Sequence, residues 1–397
     1  MLKFRHALSG AILFLAVFAA NKAYAVEGTY SFEVEKETPV VMNVAGEKIS
    51  AGVLLPNVEY SAAKDGEKLL VPFSNLVEGL PLNESVNVLE TTEPSQSSLN
   101  PDMVITSRQI VVFDNVQAEH AIGILNRNIR YAASESSDPK WLKINFAGRE
   151  GYILKSFTEK DEGIPVLMYH HILKDSENVN FHDNMTVSYD EFQKQMDYLQ
   201  AKGFRTIDLP TLEQYLKYNQ NLPGKVVVLT FDDGLVSTIH YAYPILQEKH
   251  FIATDFVIGC RLYQHSLPFN PESLQYMGFN DIVQYKDVFS YESHTYAMHL
   301  RDKDTFTPYM QMYSEEEVEG DLLHWNEFTG LKSTYLAYPW GQFNKTAETA
   351  AAKAGIHMAF TTETGNVKIG DPMLMLKRQG VSRYHNMDVF TEKVENN

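Results

Sequence analysis

Four apolar runs lead directly into reactive side chains. Pro165-Val166-Leu167-Met168-Tyr169 ends at His170 and His171, and Val226-Val227-Val228-Leu229-Thr230-Phe231 ends at Asp232 and Asp233. Val288-Phe289-Ser290-Tyr291-Glu292-Ser293 ends at His294, with His299 five residues further on, and Tyr335-Leu336-Ala337-Tyr338-Pro339 ends at Trp340-Gly341. Two imidazoles and a carboxylate suit a divalent cation and leave coordination positions for water and substrate. On an ideal helix, residues five apart point about 140° away from each other. His294 and His299 therefore belong to a strand end and the turn after it, and not to the helical pair of a zinc metalloprotease. Adjacent carboxylates at a strand end point in different directions, so one can bind a cation while its neighbour faces a water molecule. Their closeness splits their pKa values, and a cation favours ionisation of the one it touches. The chemistry indicated is hydrolysis assisted by a divalent ion.

Four strands ending in such groups require a fold that gathers strand C-termini on one face, as a β/α barrel does. From Gly163 onward the pattern fits an α/β domain, a distorted (β/α) barrel over 163–397. Continuous apolar runs at Ile164–Tyr169 and Lys225–Phe231 are the mark of strands buried on both faces. Further strands are expected at 204–207, 253–258, 288–293, 334–339 and 358–362. Ser188 with Glu191 forms a capping box ahead of Phe192, Met196 and Leu199 at helical spacing, and Gly203 ends that helix. Helices are also expected at 237–249, 314–327 and 345–354. Cys260 follows the run Phe256-Val257-Ile258-Gly259 and reads as a small buried hydrophobe.

Thr230-Phe231-Asp232-Asp233-Gly234 resembles the first motif of the polysaccharide deacetylases, carbohydrate esterase family four. Ser293-His294-Thr295 with His299 resembles the second, and Tyr338-Pro339-Trp340-Gly341 the third, over about residues 163–390. The resemblance implies a metal-dependent N-deacetylase of polysaccharide. Asp232 would be the general base. Asp233, His294 and His299 would hold the metal, zinc first, with cobalt, nickel and iron also acceptable to this ligand set. The Trp340 N–H would help to form an oxyanion hole.

The five-residue histidine spacing and the early Met168-Tyr169-His170 are similar to the biofilm poly-N-acetylglucosamine deacetylases. In that subgroup the motif bearing the catalytic histidine is permuted to the domain's start. The likeness makes His170 the general acid, with His171 alternating to the other side. Tyr169, Tyr338, Pro339 and Trp340 are the expected substrate contacts, although aromatic residues near strand ends are as often core. Ala337 stands where many members carry an arginine that orients the base. Arg378 is a candidate replacement, but an ordinary surface arginine is the stronger expectation.

Residues 26–156 have another texture, with short β-like runs broken by Gly, Pro, Asn and Asp. Val40–Tyr60 aligns without gaps onto Val111–Tyr131, a period of 71, with six identities in 21 positions. Gly148-Arg149-Glu150-Gly151-Tyr152-Ile153 resembles the end of bacterial Src-homology-3-like barrels. Two small all-β domains, 26–90 and 101–157, are expected either side of a polar linker at 91–100. They would bind cell wall.

Residues 1–25 read as a signal peptide: Lys3 and Arg5, an apolar stretch of 14 residues from Ala7 to Ala20, then Ala23-Tyr24-Ala25. Fourteen apolar residues are too few to span a bilayer, which needs about 20. A secreted or wall-associated monomer without a transmembrane segment is expected. Cys260 is the single cysteine, which excludes an intrachain disulfide. The net charge of −17 disfavours nucleic acid and suits a neutral or cationic polymer. The substrate class implied is N-acetylglucosamine polysaccharide, either peptidoglycan or poly-β-1,6-N-acetylglucosamine. The competing reading is an inactive wall-binding or scaffold protein on the same fold, favoured by the absent arginine.

Overall fold

The computed structural model describes residues 29–91, except 45, 66–67, 74–75 and 82–85, and residues 102–395. The expected signal peptide, and the linker beyond Thr91, lie outside the described residues. The chain forms two compact units. One runs to Asp161 and includes Gln214–Gly224; the other is Glu162–Glu213 with everything from Lys225.

The first unit is built mainly of antiparallel strands, and its repeat is visible in the pairing. Thr38–Val44, Glu47–Leu54 and Tyr60–Asp65 are matched in order by Ile110–Phe113, Ala121–Leu125 and Arg130–Glu135. The middle strands of the two copies pair antiparallel, with Leu54 opposite Gly123, Val53 opposite Ile124 and Gly52 opposite Leu125. Val53 and Ile124 are equivalent positions of the repeat, so the copies meet about a local two-fold. Each copy also buries its tyrosine: the Tyr60 hydroxyl donates to Ile122 O at 2.8 Å, and the Tyr131 hydroxyl donates to Ala51 O.

The main sheet of the second unit has eight parallel strands: β1 (Val166–Tyr169), β2 (Arg205–Thr206), β3 (Val226–Asp233), β4 (Ala253–Val257), β5 (Phe289–Ser293), β6 (Tyr335–Ala337), β7 (Met358–Thr364) and β8 (Leu376–Gly380). Their order is β1-β8-β7-β6-β5-β4-β3-β2, and β1 also pairs with β3. The sheet therefore closes as a ring of seven, with the short β2 attached to the start of β3. Every expected strand is present within a few residues of its expected bounds. β8 completes the ring.

Helices pack outside the ring. Helix α1 (Tyr189–Ala201) begins as expected at Ser188, whose Oγ accepts the Glu191 N–H. The Glu191 carboxylate instead pairs with Lys194 at 2.6 Å. Phe192, Met196 and Leu199 pack with Tyr169 and Phe231 in one core. The helix expected at 237–249 opens as a π-helical turn, Thr238–Ala242, before α2 (Tyr243–Glu248). Pro244 has no N–H to bond a carbonyl four residues back, which loosens the turn. Helix α3 (Glu315–Thr329) has a complete capping box from Ser314 and Glu317, and α4 (Lys345–Lys353) follows β6.

Cys260 corrects the sequence reading. β4 stops at Val257, and Cys260 is exposed in the Gly259–Arg261 turn. The chain has left the sheet by that point, so the preceding apolar run does not carry the cysteine inside.

Trp325 of α3 is fully buried and donates its indole N–H to Val257 O, at the end of β4, at 2.8 Å. Trp325→Ala is expected to cost about 3–5 kcal/mol in denaturant unfolding, the usual loss for a buried tryptophan. A loss below about 1 kcal/mol would show that α3 does not anchor this strand end.

Candidate active site

β3 alternates its side chains, so Thr230 and Asp232 share the inner face. Both meet Arg378 of β8. The guanidinium donates to the two oxygens of Asp232 at 2.7 Å each and to Thr230 Oγ1 at 3.3 Å, while its Nε donates to Thr361 O at 3.0 Å. Arg378 is fully buried. It is no surface arginine: it is the charged partner of Asp232. Burial works against the Asp232 charge, but this paired guanidinium outweighs it and holds the carboxyl well below the usual carboxylate range.

At Asp233 the backbone turns left-handed, φ 79°, and Gly234 continues at φ 72°. A side chain at Gly234 would meet Val257 Cγ1 at 2.9 Å, so the turn depends on glycine. Asp233 Oδ1 lies 3.6 Å from His294 Nε2 and 3.3 Å from His299 Nε2. The three ligand atoms all fall within 4.8 Å of one another, which fits one metal ion. Asp233 Oδ1 is buried with no hydrogen-bond partner, as a ligand atom would be. His294 Nδ1 is 2.7 Å from Ala337 O, an acceptor that fixes the proton there and leaves Nε2 free to ligate. Burial pushes both imidazoles down, His299 to about 2, so each is held neutral as a ligand must be.

The turn joining the histidines is clamped from α3. Asp321 accepts the N–H of Tyr296 at Oδ2 and of Ala297 at Oδ1, each at 2.8 Å. Sequence reasoning missed Asp321, which lies on a polar helix with no strand-end pattern. Trp340 is a second brace. Its ring centroid is 4.4 Å from that of His299, and Arg301 caps it at 4.4 Å. Trp340 is left-handed at φ 56°, and Gly341 after it has no room for a Cβ, which would fall 2.4 Å from Thr362 N. Non-glycine residues with positive φ thus cluster at this mouth: Asp233, Thr295 and Trp340.

His170 Nε2 is 3.8 Å from Asp232 Oδ2, and its Nδ1 is buried without a partner. Burial lowers its pKa by more than the Asp232 carboxylate raises it, and the Arg378 guanidinium adds to the lowering. His171 turns its ring edge to Phe181 at 4.7 Å. Both histidines, with Asp232, Asp233, His294 and Trp340, line a cavity of about 430 Å³. Three expected substrate contacts do not reach it. Tyr169 is fully buried against Phe192 and Phe231, with its hydroxyl on Gln195, and Tyr338 is buried and stacked on Phe343. Pro339 is also buried. Strand alternation sends the two tyrosines into core layers. A further carboxylate, Asp255, is fully buried, and burial together with the Asp232 and Asp233 charges pushes its pKa well above the usual carboxylate range.

A Bacillus subtilis (strain 168) protein named as a polysaccharide deacetylase, YxkH, is 31% identical over 226 residues, covering 57% of this chain and 74% of that one. The chain belongs to the polysaccharide deacetylase family. The family profile described as polysaccharide deacetylase matches residues 219–359. A poly-β-1,6-N-acetyl-D-glucosamine N-deacetylase of Staphylococcus aureus (strain MRSA252) is 26% identical over 226 residues, covering 53% of this chain and 75% of that one. The Streptococcus pyogenes deacetylase PplD, solved with acetate, shares the fold with a TM-score of 0.51 at 23% identity, over 59% of this chain and 98% of that one. This polysaccharide deacetylase thus shares its fold with PplD, and its Asp232 is paired with an arginine from β8.

The Asp232–Arg378 pair makes a pH prediction. Arg378→Met removes the cation that offsets burial, so the Asp232 carboxyl rises and stays protonated to higher pH. The acid limb of kcat/KM for acetate release should move upward in pH, and less so for Arg378→Lys, which keeps the charge. An unmoved limb in folded Arg378→Met protein would contradict the pairing.

Proposed function

We propose that the chain is a secreted, metal-dependent hydrolase that removes N-acetyl groups from N-acetylglucosamine units of a bacterial surface polysaccharide. The observation that carries the reading is the convergence of Asp233, His294 and His299 beside a separately charge-paired Asp232. Asp233, His294 and His299 would hold the divalent ion, zinc first, with cobalt, nickel or iron also suited to two imidazoles and a carboxylate. Such an ion supplies polarisation of the acetamide carbonyl and a more acidic water.

The residues of the chain then divide the proton work. Asp232, ionised by Arg378, takes a proton from the attacking water. His170, whose Nε2 is 3.8 Å from Asp232 Oδ2, gives a proton to the amine as the C–N bond breaks. The Trp340 backbone N–H donates to the developing oxyanion, from a turn already set before substrate arrives. Trp340 and Arg301 hold His299 in place. The pairing of Arg378 with Asp232 weighs against the part of the inactive-scaffold reading that rested on the absent arginine.

The named activity of the Staphylococcus aureus relative favours poly-β-1,6-N-acetylglucosamine over peptidoglycan as the polymer. The strongly acidic chain suits a neutral substrate that becomes cationic as it loses acetyl groups. The apolar leader at 1–25 supports export, and the paired β repeats suit attachment to the cell wall.

Acetate release from N-acetylglucosamine pentamers, with metal content measured in parallel, tests this reading. Asp232→Asn should keep its metal and lose about 10²–10⁴ in rate. His294→Ala should lose both. Acetate release that survives a chelator would contradict the metal assignment.

A further inference from the structure

Two large aromatic side chains stand exposed on segments that are bonded to the walls of the catalytic cavity. Phe306 is 69% exposed and Tyr384 is 72% exposed. Phe306 sits in a tight hairpin closed by an antiparallel bridge between Arg301 and Pro308. Asp302 Oδ1 accepts from Asp304 N, Thr305 N and Thr305 Oγ1 at 3.1, 2.8 and 2.9 Å, which fixes the tip. Phe306 itself is left-handed at φ 59°, a costly conformation for a bulky residue. A strained backbone that turns a phenyl ring to water serves no packing purpose. The hairpin is tied to the catalytic centre, because Arg301 donates to Phe306 O at 3.3 Å and stacks on Trp340 at 4.4 Å.

Tyr384 belongs to the segment that follows β8. Its hydroxyl donates to His182 O at 3.3 Å, which holds the ring with its face uncovered. Neighbouring Arg383 donates its N–H to Asn184 O at 3.2 Å and pairs with Asp175 at 3.1 Å. These bonds fasten the segment to the loop that brings Asp183 into the cavity wall. Phe306 is thus linked through Arg301 to the Trp340 wall, and Tyr384 through the 182–184 loop to the Asp183 wall.

We propose that Phe306 and Tyr384 are sugar-stacking platforms flanking the catalytic cavity, so that the enzyme takes an internal N-acetylglucosamine of a chain and seats the neighbouring pyranose rings on these two residues. The occupant follows from the bonds that tie both segments to the cavity walls and from charge. A pyranose presents an apolar C–H face to an aromatic ring and carries no anionic group for this acidic protein to repel. The proposal rests on the deacetylase reading above and adds its requirement for a polymer.

The test compares kcat/KM for acetate release from N-acetylglucosamine dimers and pentamers. Phe306→Asn removes the ring but tolerates the left-handed backbone, so the hairpin folds. Tyr384→Ala removes the other platform. Val283→Ser, at an apolar residue 66% exposed on the helix Phe279–Gln284, is the control. Each platform variant should lower the pentamer-to-dimer ratio about three- to tenfold. The change should come through KM and not kcat, with metal content and melting temperature as in the wild type. A ratio unchanged in both variants, or a wild type indifferent to chain length, would overturn the platforms alone. A wild type that releases no acetate from either oligomer would overturn the deacetylase reading, and the platforms with it.

Discussion

Two carboxylates on consecutive residues at the end of a buried strand repel each other, and burial disfavours the charge of both. The fold answers each separately. Asp232 receives a bidentate arginine from a strand that lies next to β1 on the far side of the ring closure. Asp233 is turned by a left-handed backbone toward two imidazoles that burial keeps neutral. Neutral imidazoles cannot balance the second carboxylate, and burial raises its pKa accordingly. A divalent ion is the partner that this trio suits. Each carboxylate thus has its own surroundings, Asp232 a guanidinium and Asp233 two imidazoles spaced for one ion.

The supports of this arrangement are spread over the barrel. Ala337 O fixes the His294 ring, Asp321 clamps the turn to His299, and Trp340 closes over His299 from β6. Left-handed backbone at Asp233, Thr295 and Trp340 places cost where the chemistry is, and the closed sheet with its buried helices bears it.

Much of the site was legible because a parallel barrel writes its function at strand ends. The apolar runs before Asp232, His294 and Trp340 gave both the strands and the residues that the barrel gathers around one cavity. Arg378 was not legible as a partner of Asp232, since the two are 146 positions apart and only closure of the ring makes them neighbours. Its place was nonetheless marked: it follows Leu376 by two residues, so both face one side of β8. Tyr169 and Tyr338 were misjudged for the converse reason. Each sits beside a reactive group in sequence but packs into the core. Cys260 escaped because hydrophobic context cannot show where a strand stops. In the first unit, the period of 71 survives as paired strands, although sequence alone could not show that the copies join one sheet.

Diffraction from crystals grown with zinc, recorded on both sides of the zinc absorption edge, tests the central claim most directly. The account predicts an anomalous peak within about 2.0–2.2 Å of an Asp233 carboxylate oxygen, His294 Nε2 and His299 Nε2, with Asp232 still paired to Arg378. A fully occupied ion bound elsewhere, with these three side chains unliganded, would contradict it.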